Sequence, residues 1–175
     1  LTDLGQHPRD FSDTVTMLEN VGHFLDREIQ RNFDEFKKQG HENTEISELI
    51  AEHLDVGNML REASKKWDGG YVIAGLIGHG DAFVIRDPWG IRPAYYFMND
   101  EVVVVTSERP AIQTVLNVPA GQVHELDPGA GLIIRKNGQV SLNAAAVETP
   151  AILAVRLSTT ATGGVRLPRF RLKTV

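Results

Sequence analysis

With 175 residues, 42% of them hydrophobic and 23% charged, the chain is long enough to bury one sizeable core and ordinary enough in composition to be globular. A net charge of −5 argues against a general nucleic-acid binder, which needs a basic face to neutralise phosphates. No cysteine is present, which excludes disulfides, thiolate metal sites and a cysteine nucleophile within this sequence, and no apolar run approaches the roughly 18–20 residues of a membrane span.

Leu1 to Asp10 is polar and lacks the charged-then-apolar order of a signal peptide, so the cytoplasm is the simplest compartment. Residues 12–66 then read as helical. Leu18, Val21, Leu25, Ile29, Phe33 and Phe36 recur at steps of three or four, the apolar face of one long amphipathic helix. Ser12 or Asp13 is placed to cap its start and Gly40 to end it. Asn43 or Thr44 can cap a second helix that carries Ile46, Leu49, Ile50, His53, Leu60 and Ala63 near its buried side. A short polar turn joins the two, which predicts antiparallel neighbours.

Gly69-Gly70 breaks this pattern, and residues 69–140 read as strand-rich. Tyr71 to Ile77 and Ala82 to Ile85 flank Gly78-His79-Gly80-Asp81, a hairpin signal with His79 as an exposed turn residue. Ala94 to Met98 and Val102 to Thr106 form a second pair around Asn99-Asp100. The unbroken β-branched run Val102 to Val105 predicts a strand buried on both faces. Pro110 to Leu116 reads as a short helix with proline in its first turn. Gln122 to Leu126 and Leu132 to Lys136 are further strands, with Asn137-Gly138 a tight turn into Val140. Helices followed by an antiparallel sheet predict an α+β layered domain. Residues 141–175 differ in kind: one acid, Glu148, stands against Arg156, Arg166, Arg169, Arg171 and Lys173, with no apolar period. A basic arm, disorder and a non-native sequence are the open readings of this tail.

No complete catalytic constellation stands in the sequence. The six histidines show no metal spacing, and no serine sits in a Gly-x-Ser-x-Gly elbow. Gly75 to Gly80 follows a strand but lacks a Gly-Lys-Ser/Thr end and a following helix, so it is a hairpin rather than a phosphate loop. Asp13, at a helix start, can serve as a cap or bind the ammonium of an amino-acid substrate. The densest chemistry lies in Arg86-Asp87-Pro88-Trp89-Gly90-Ile91-Arg92-Pro93, followed by Ser107-Glu108. Pro88 and Pro93 fix φ, and Gly90 supplies a positive φ. Arg86 and Arg92 can each form a bidentate pair, with Asp87 or Glu108 as partners. A salt-bridged turn bracing two strands and an anion-binding site are both compatible with these residues.

In order and spacing, Arg86 to Pro93 resembles the glutaminase domain of amidophosphoribosyltransferases, class II glutamine amidotransferases with the N-terminal-nucleophile hydrolase fold. The resemblance covers about residues 3–140. It includes Gly5-Gln6-His7-Pro8-Arg9, Ser12-Asp13-Thr14, Met17-Leu18-Glu19, Val21-Gly22-His23, Leu25-Asp26-Arg27-Glu28, Trp67-Asp68-Gly69-Gly70 and Ser107-Glu108-Arg109-Pro110. It looks closest to the longer form of these enzymes, which carries a helical insertion.

The resemblance implies a four-layer αββα domain present in part, with its N-terminal strands and nucleophile missing. It implies an enzyme that hydrolyses glutamine through an N-terminal cysteine and an Asn-Gly oxyanion pair. Ammonia then passes to phosphoribosyl pyrophosphate in a transferase domain, giving 5-phosphoribosylamine for purine synthesis. Of the glutamine-site residues only Asp13, on the substrate ammonium, carries over; this chain supplies no catalytic residue and no metal ligand. Arg86, Asp87, Gly90, Arg92 and Glu108 carry over as scaffold. Also implied are Mg in the transferase domain and a homo-oligomeric parent, with no nucleic-acid or membrane partner. Family members differ in carrying an iron–sulfur cluster. This chain alone is then inactive, and strands without their neighbours leave unpaired edges that favour self-association. Another class II amidotransferase, or a non-catalytic module on the same scaffold, is the alternative.

Overall fold

The computed structural model describes residues 12–143. The Gly5 to Arg9 match and the tail from 144 onward lie outside the described residues.

Helix α1 is Asp13–Lys38. Ser12 is its cap: its backbone is extended, its hydroxyl accepts from the Val15 N–H, and its carbonyl accepts from Thr16. Lys37 and Lys38 end it, where cations meet the negative pole, and Gly40 follows with φ +92°. The buried stripe is rotated from the one the sequence predicts. Leu18 is 70% exposed, whereas Met17, Val21, Phe24, Leu25 and Ile29 pack inward beside three buried polar residues, Asn20, Glu28 and Asn32. Asn20 Nδ2 donates to the Ala63 carbonyl at 3.3 Å, and Glu28 accepts from Asn58 and pairs with Arg31. These polar contacts fix α1 against the third helix.

The second predicted helix is two. Helix α2 is Asn43–His53 and α3 is Val56–Ser64. Between them Leu54 is fully buried, and the Asp55 carboxylate caps α3 by accepting from the Asn58 N–H at 2.8 Å. A cap chemistry inside the apolar period ends one helix and starts another at an angle that lets Leu54, Val56, Met59 and Leu60 all enter the core.

Seven strands follow: β1 Val72–Leu76, β2 Ala82–Arg86, β3 Tyr95–Met98, β4 Val103–Thr106, β5 His124–Glu125, β6 Gly131–Ile134 and β7 Val140–Asn143. Helix α4, Arg109–Leu116, lies between β4 and β5 with Pro110 in its first turn. The strands form two antiparallel sheets, ordered β1-β2-β6-β7 and β4-β3-β5, so the molecule is α+β. Two strands differ from the sequence reading. β4 is an edge strand, half-buried rather than buried on both faces, and Val102 before it is 37% exposed. Of the run 122–126 only His124–Glu125 is strand, and Gln122 closes a 3-10 turn, Ala120–Gln122.

Three apolar clusters order these elements. Leu54, Val56, Met59 and Leu60 of the helices meet Tyr71, Ile77, Phe83, Ile85 and Ile133 on one face of the larger sheet. Val84 and Leu132, on its other face, meet Tyr96 of the smaller sheet and Ala94 just before β3, together with Leu126. Phe97, Ile112 and Val123 pack α4 on the outer face of the smaller sheet. The alternation Phe83-Val84-Ile85 is thus a period-two strand serving two cores.

The phase of the β1–β2 ladder is fixed at both ends. Ile77 N–H donates to the Asp81 carbonyl at 2.7 Å, and Asp87 N–H donates to Tyr71 at 2.9 Å. Hydrogen-bonded and non-bonded pairs alternate in an antiparallel ladder. Ile73 and Gly75 therefore bond to β2, while Val72, Ala74 and Leu76 turn their N–H and C=O outward. Among the described residues nothing pairs with that outer edge.

Candidate functional site

A groove of about 1190 Å3 runs beside β1. Its apolar wall is Met17, Leu18 and Val21 of α1, with Ile73, Gly75 and Phe83 as floor. Phe83 lies across Gly75: a Cβ there would come 2.4 Å from the Phe83 ring. Its polar rim carries Asp13, Lys66, Asp68, Arg92 and Glu108. Three of the residues singled out from the sequence, Asp13, Arg92 and Glu108, are therefore brought to one place, though they come from three separate stretches of chain.

Each is positioned locally. Ser12 takes the capping hydrogen bond, which leaves Asp13 exposed on the first turn of α1. Trp67 to Gly70 turns the chain from α3 into β1, with Gly69 at φ +84° and its N–H held by Asp68 Oδ1 at 2.8 Å. Gly70 meets a close approach: a Cβ would fall 2.5 Å from Ile91 Cγ2. The Gly-Gly pair and the 86–93 loop are thus one packing unit. Beneath it, Trp67 and Tyr71 stack edge-on with ring centres 5.2 Å apart. Burial first, and the nearby Asp87 charge second, push the Tyr71 hydroxyl up to about 12.

The loop is built on two buried charges. Asp87, fully buried, accepts from three backbone N–H groups: Trp89 at 3.1 Å, Ile91 at 2.9 Å and Arg92 at 3.0 Å. Arg86, 4% exposed, donates to the carbonyls of Arg92 at 2.6 Å, Gly90 at 3.0 Å and Leu126, and pairs with Glu125 at 2.8 Å. This corrects the pairing read from the sequence. Arg86 bonds Glu125 and three carbonyls, not Asp87 or Glu108, and Asp87 holds backbone rather than a guanidinium. Gly90 adopts φ +64°, and a Cβ there would meet Pro128 at 2.8 Å. Arg86, Asp87 and Gly90 shape the loop, whereas the exposed Arg92 has its backbone locked at both N–H and C=O while its guanidinium forms no ion pair among the described residues.

A second charged cluster lies at the far end of β1. Asp81, 1% exposed, accepts from Arg135 at 2.7 Å and from the Lys136 N–H at 2.8 Å, and His79 Nε2 stands 3.1 Å from it. The His79 side chain is 19% exposed, so it is not the exposed turn residue that the sequence predicts. Burial alone would raise the Asp81 pKa. The Lys136, His79 and Arg135 hydrogen bonds and the Arg135 charge outweigh it, and the carboxyl is held below its usual range. Neither Glu125 nor the Arg135–Asp81 pair is legible as a partner in the sequence, because each joins strands far apart in the chain. No group of three or more His, Asp or Glu able to hold a metal stands among the described residues, and no described helix is long and apolar enough to cross a membrane.

No family model matches the sequence, and no curated protein matches it. Among solved structures, the chain is similar to glutamine phosphoribosylpyrophosphate (PRPP) amidotransferase from B. subtilis complexed with ADP and GMP. The identity is 21% and the TM-score 0.43, over 67% of this chain and 26% of that one. The chain thus spans about a quarter of that protein's length, and a likeness of this size fixes neither activity nor ligand.

Proposed function

We propose that this chain is part of the glutaminase domain of an amidophosphoribosyltransferase. In this reading the whole enzyme hydrolyses glutamine and passes ammonia to phosphoribosyl pyrophosphate, giving 5-phosphoribosylamine for purine synthesis in the cytoplasm. The observation that carries the reading is convergence. Asp13-Thr14, Trp67 to Gly70, Arg92-Pro93 and Ser107-Glu108, which belong to separate blocks that resemble that family, all border one groove. The two facing sheets, with helices outside each, support the αββα arrangement of N-terminal-nucleophile hydrolases.

Asp13 then binds the glutamine ammonium, and the nucleophilic cysteine and Asn-Gly pair come from a segment that this sequence does not contain. Arg86, Asp87, Gly90, Arg92 and Glu108 hold the groove wall. Mg belongs to the transferase domain, and no residue here is assigned to it; without cysteine this segment offers no thiolate to an iron–sulfur cluster. The parent assembles as a homo-oligomer.

The test is reconstitution. The chain alone should release no glutamate from glutamine. Joined to the upstream segment read from its genomic locus, it should do so. Asp13→Ala in the joined protein should lower kcat/KM about 10- to 100-fold, the loss of one charge-assisted hydrogen bond of roughly 1.5–3 kcal/mol. Glutamate release by the chain alone above a heat-killed control, or an Asp13→Ala variant of full activity, would overturn the proposal.

A further inference from the structure

The turn from β6 into β7 holds the single Asn-Gly pair of the sequence, Asn137-Gly138. The Gly138 N–H donates to the Arg135 carbonyl at 2.9 Å, the Arg135 N–H donates to the Gln139 carbonyl at 2.8 Å, and Gly138 sits at φ +85°. This is a hairpin loop with its glycine in the left-handed region. Asn137, Gly138 and Gln139 are all exposed, and apart from its chain neighbours nothing lies within 4 Å of where a Gly138 Cβ would stand. Neither a side chain of its own nor a neighbouring element crowds Gly138. The Asn137 side chain is turned along the chain: Oδ1 accepts from the Gln139 N–H at 3.0 Å, and Nδ2 donates to Gln139 Oε1 at 3.3 Å. A donor on Oδ1 draws electron density from Cγ and steadies negative charge on that oxygen.

We propose that Asn137 is a site of spontaneous deamidation. A solvent base takes the Gly138 amide proton, and the nitrogen attacks Asn137 Cγ. The Cγ–Nδ2 bond breaks, and Nδ2 leaves as ammonia after taking up a proton from water. Water then opens the cyclic succinimide at either carbonyl, giving aspartate or isoaspartate, with no change of oxidation state. Both products act on the clamp next to the turn, where the Arg135 guanidinium and the Lys136 N–H bond Asp81. Aspartate adds a carboxylate that competes for these donors. Isoaspartate adds a backbone carbon to the loop, so the Arg135–Gln139 bond and the Ile134–Val140 register cannot both be kept. The pairing of β7, which ends its sheet among the described residues, is what this loosens. The inference goes beyond the amidotransferase reading and does not depend on it.

Peptide mapping by mass spectrometry tests it, on the full chain incubated at mildly alkaline pH with and without urea. Reaction in the folded chain requires opening two exposed hydrogen bonds, from Gly138 N and from Asn137 Nδ2, so Asn137 should convert within about 30-fold of its rate in urea. It should convert ahead of every other asparagine, and faster in proportion to hydroxide. Asn137→Gln, whose longer side chain closes the corresponding ring far more slowly, should not convert and should melt as wild type does. The isoaspartate form, separated by ion exchange, should melt at a lower temperature, with faster hydrogen exchange at the Arg135 amide. Native conversion slower than that limit, another asparagine reacting first, or conversion of the same peptide persisting in Asn137→Gln would overturn the proposal.

Discussion

Arg86 shows how one side chain can hold a loop that sequence alone describes only as turn-like. Its guanidinium supplies donors to three carbonyls in two separate segments, and a shorter cation cannot reach them together. Arg86→Ala should cost about 3–5 kcal/mol, since each buried carbonyl left without a donor costs roughly 1–3 kcal/mol. The Glu125 arm adds little because that carboxylate is half exposed. Arg86→Lys should recover less than half of the loss. Urea denaturation measures both, and an alanine variant within about 1 kcal/mol of wild type would refute the assignment. The residue types of this loop are readable in the sequence, as are the positive φ of Gly90 and the capping by Ser12. The partners are not, because Glu125 lies on another strand and Gly70 owes its identity to an isoleucine that arrives from a later loop.

Among the elements, strands bounded by Gly or Asn turns were the most legible, since turn chemistry and period-two alternation agree there. β1, β2, β3 and β6 lie where the pattern places them, whereas β7 starts at Val140 as the turn predicts but runs on to Asn143, so residues 141–143, read from the sequence as part of the tail, are a strand paired with β6. The helices were less so. The apolar period runs on through 43–63 while the chain breaks at Leu54-Asp55, because a cap bond and a buried leucine outweigh continued helix. Asp55→Ala should therefore destabilise by about 1 kcal/mol, the usual worth of an N-cap, and should lower the helical circular dichroism signal. A neutral substitution would mean that packing of Leu54 alone sets the break. The rotated face of α1 has a similar cause: Asn20 and Glu28 find partners on α3, and satisfying them turns Leu18 outward.

For the whole molecule, Asp81 ties the β1–β2 hairpin to the β6–β7 hairpin through Arg135 and the Lys136 N–H. Its folded pKa lies below the unfolded value, so it contributes stability above the ordinary carboxylate range, and that stability is lost as pH falls through the folded pKa. Melting temperature should decline on acidification below about pH 4, and Asp81→Asn should be less stable at neutral pH with a shallower acid decline. An unchanged acid slope in the variant would remove Asp81 as the cause. Where the sheets face each other was not readable from the sequence, because apolar alternation does not say which core each face enters.

The alternating β1 edge has a consequence for sliding. Only every second peptide unit faces out, so any strand docked there can shift by two residues and keep its faces, whereas a shift of one reverses every side chain. Misaligned states of this edge therefore come in discrete steps of about 7 Å rather than as a continuum.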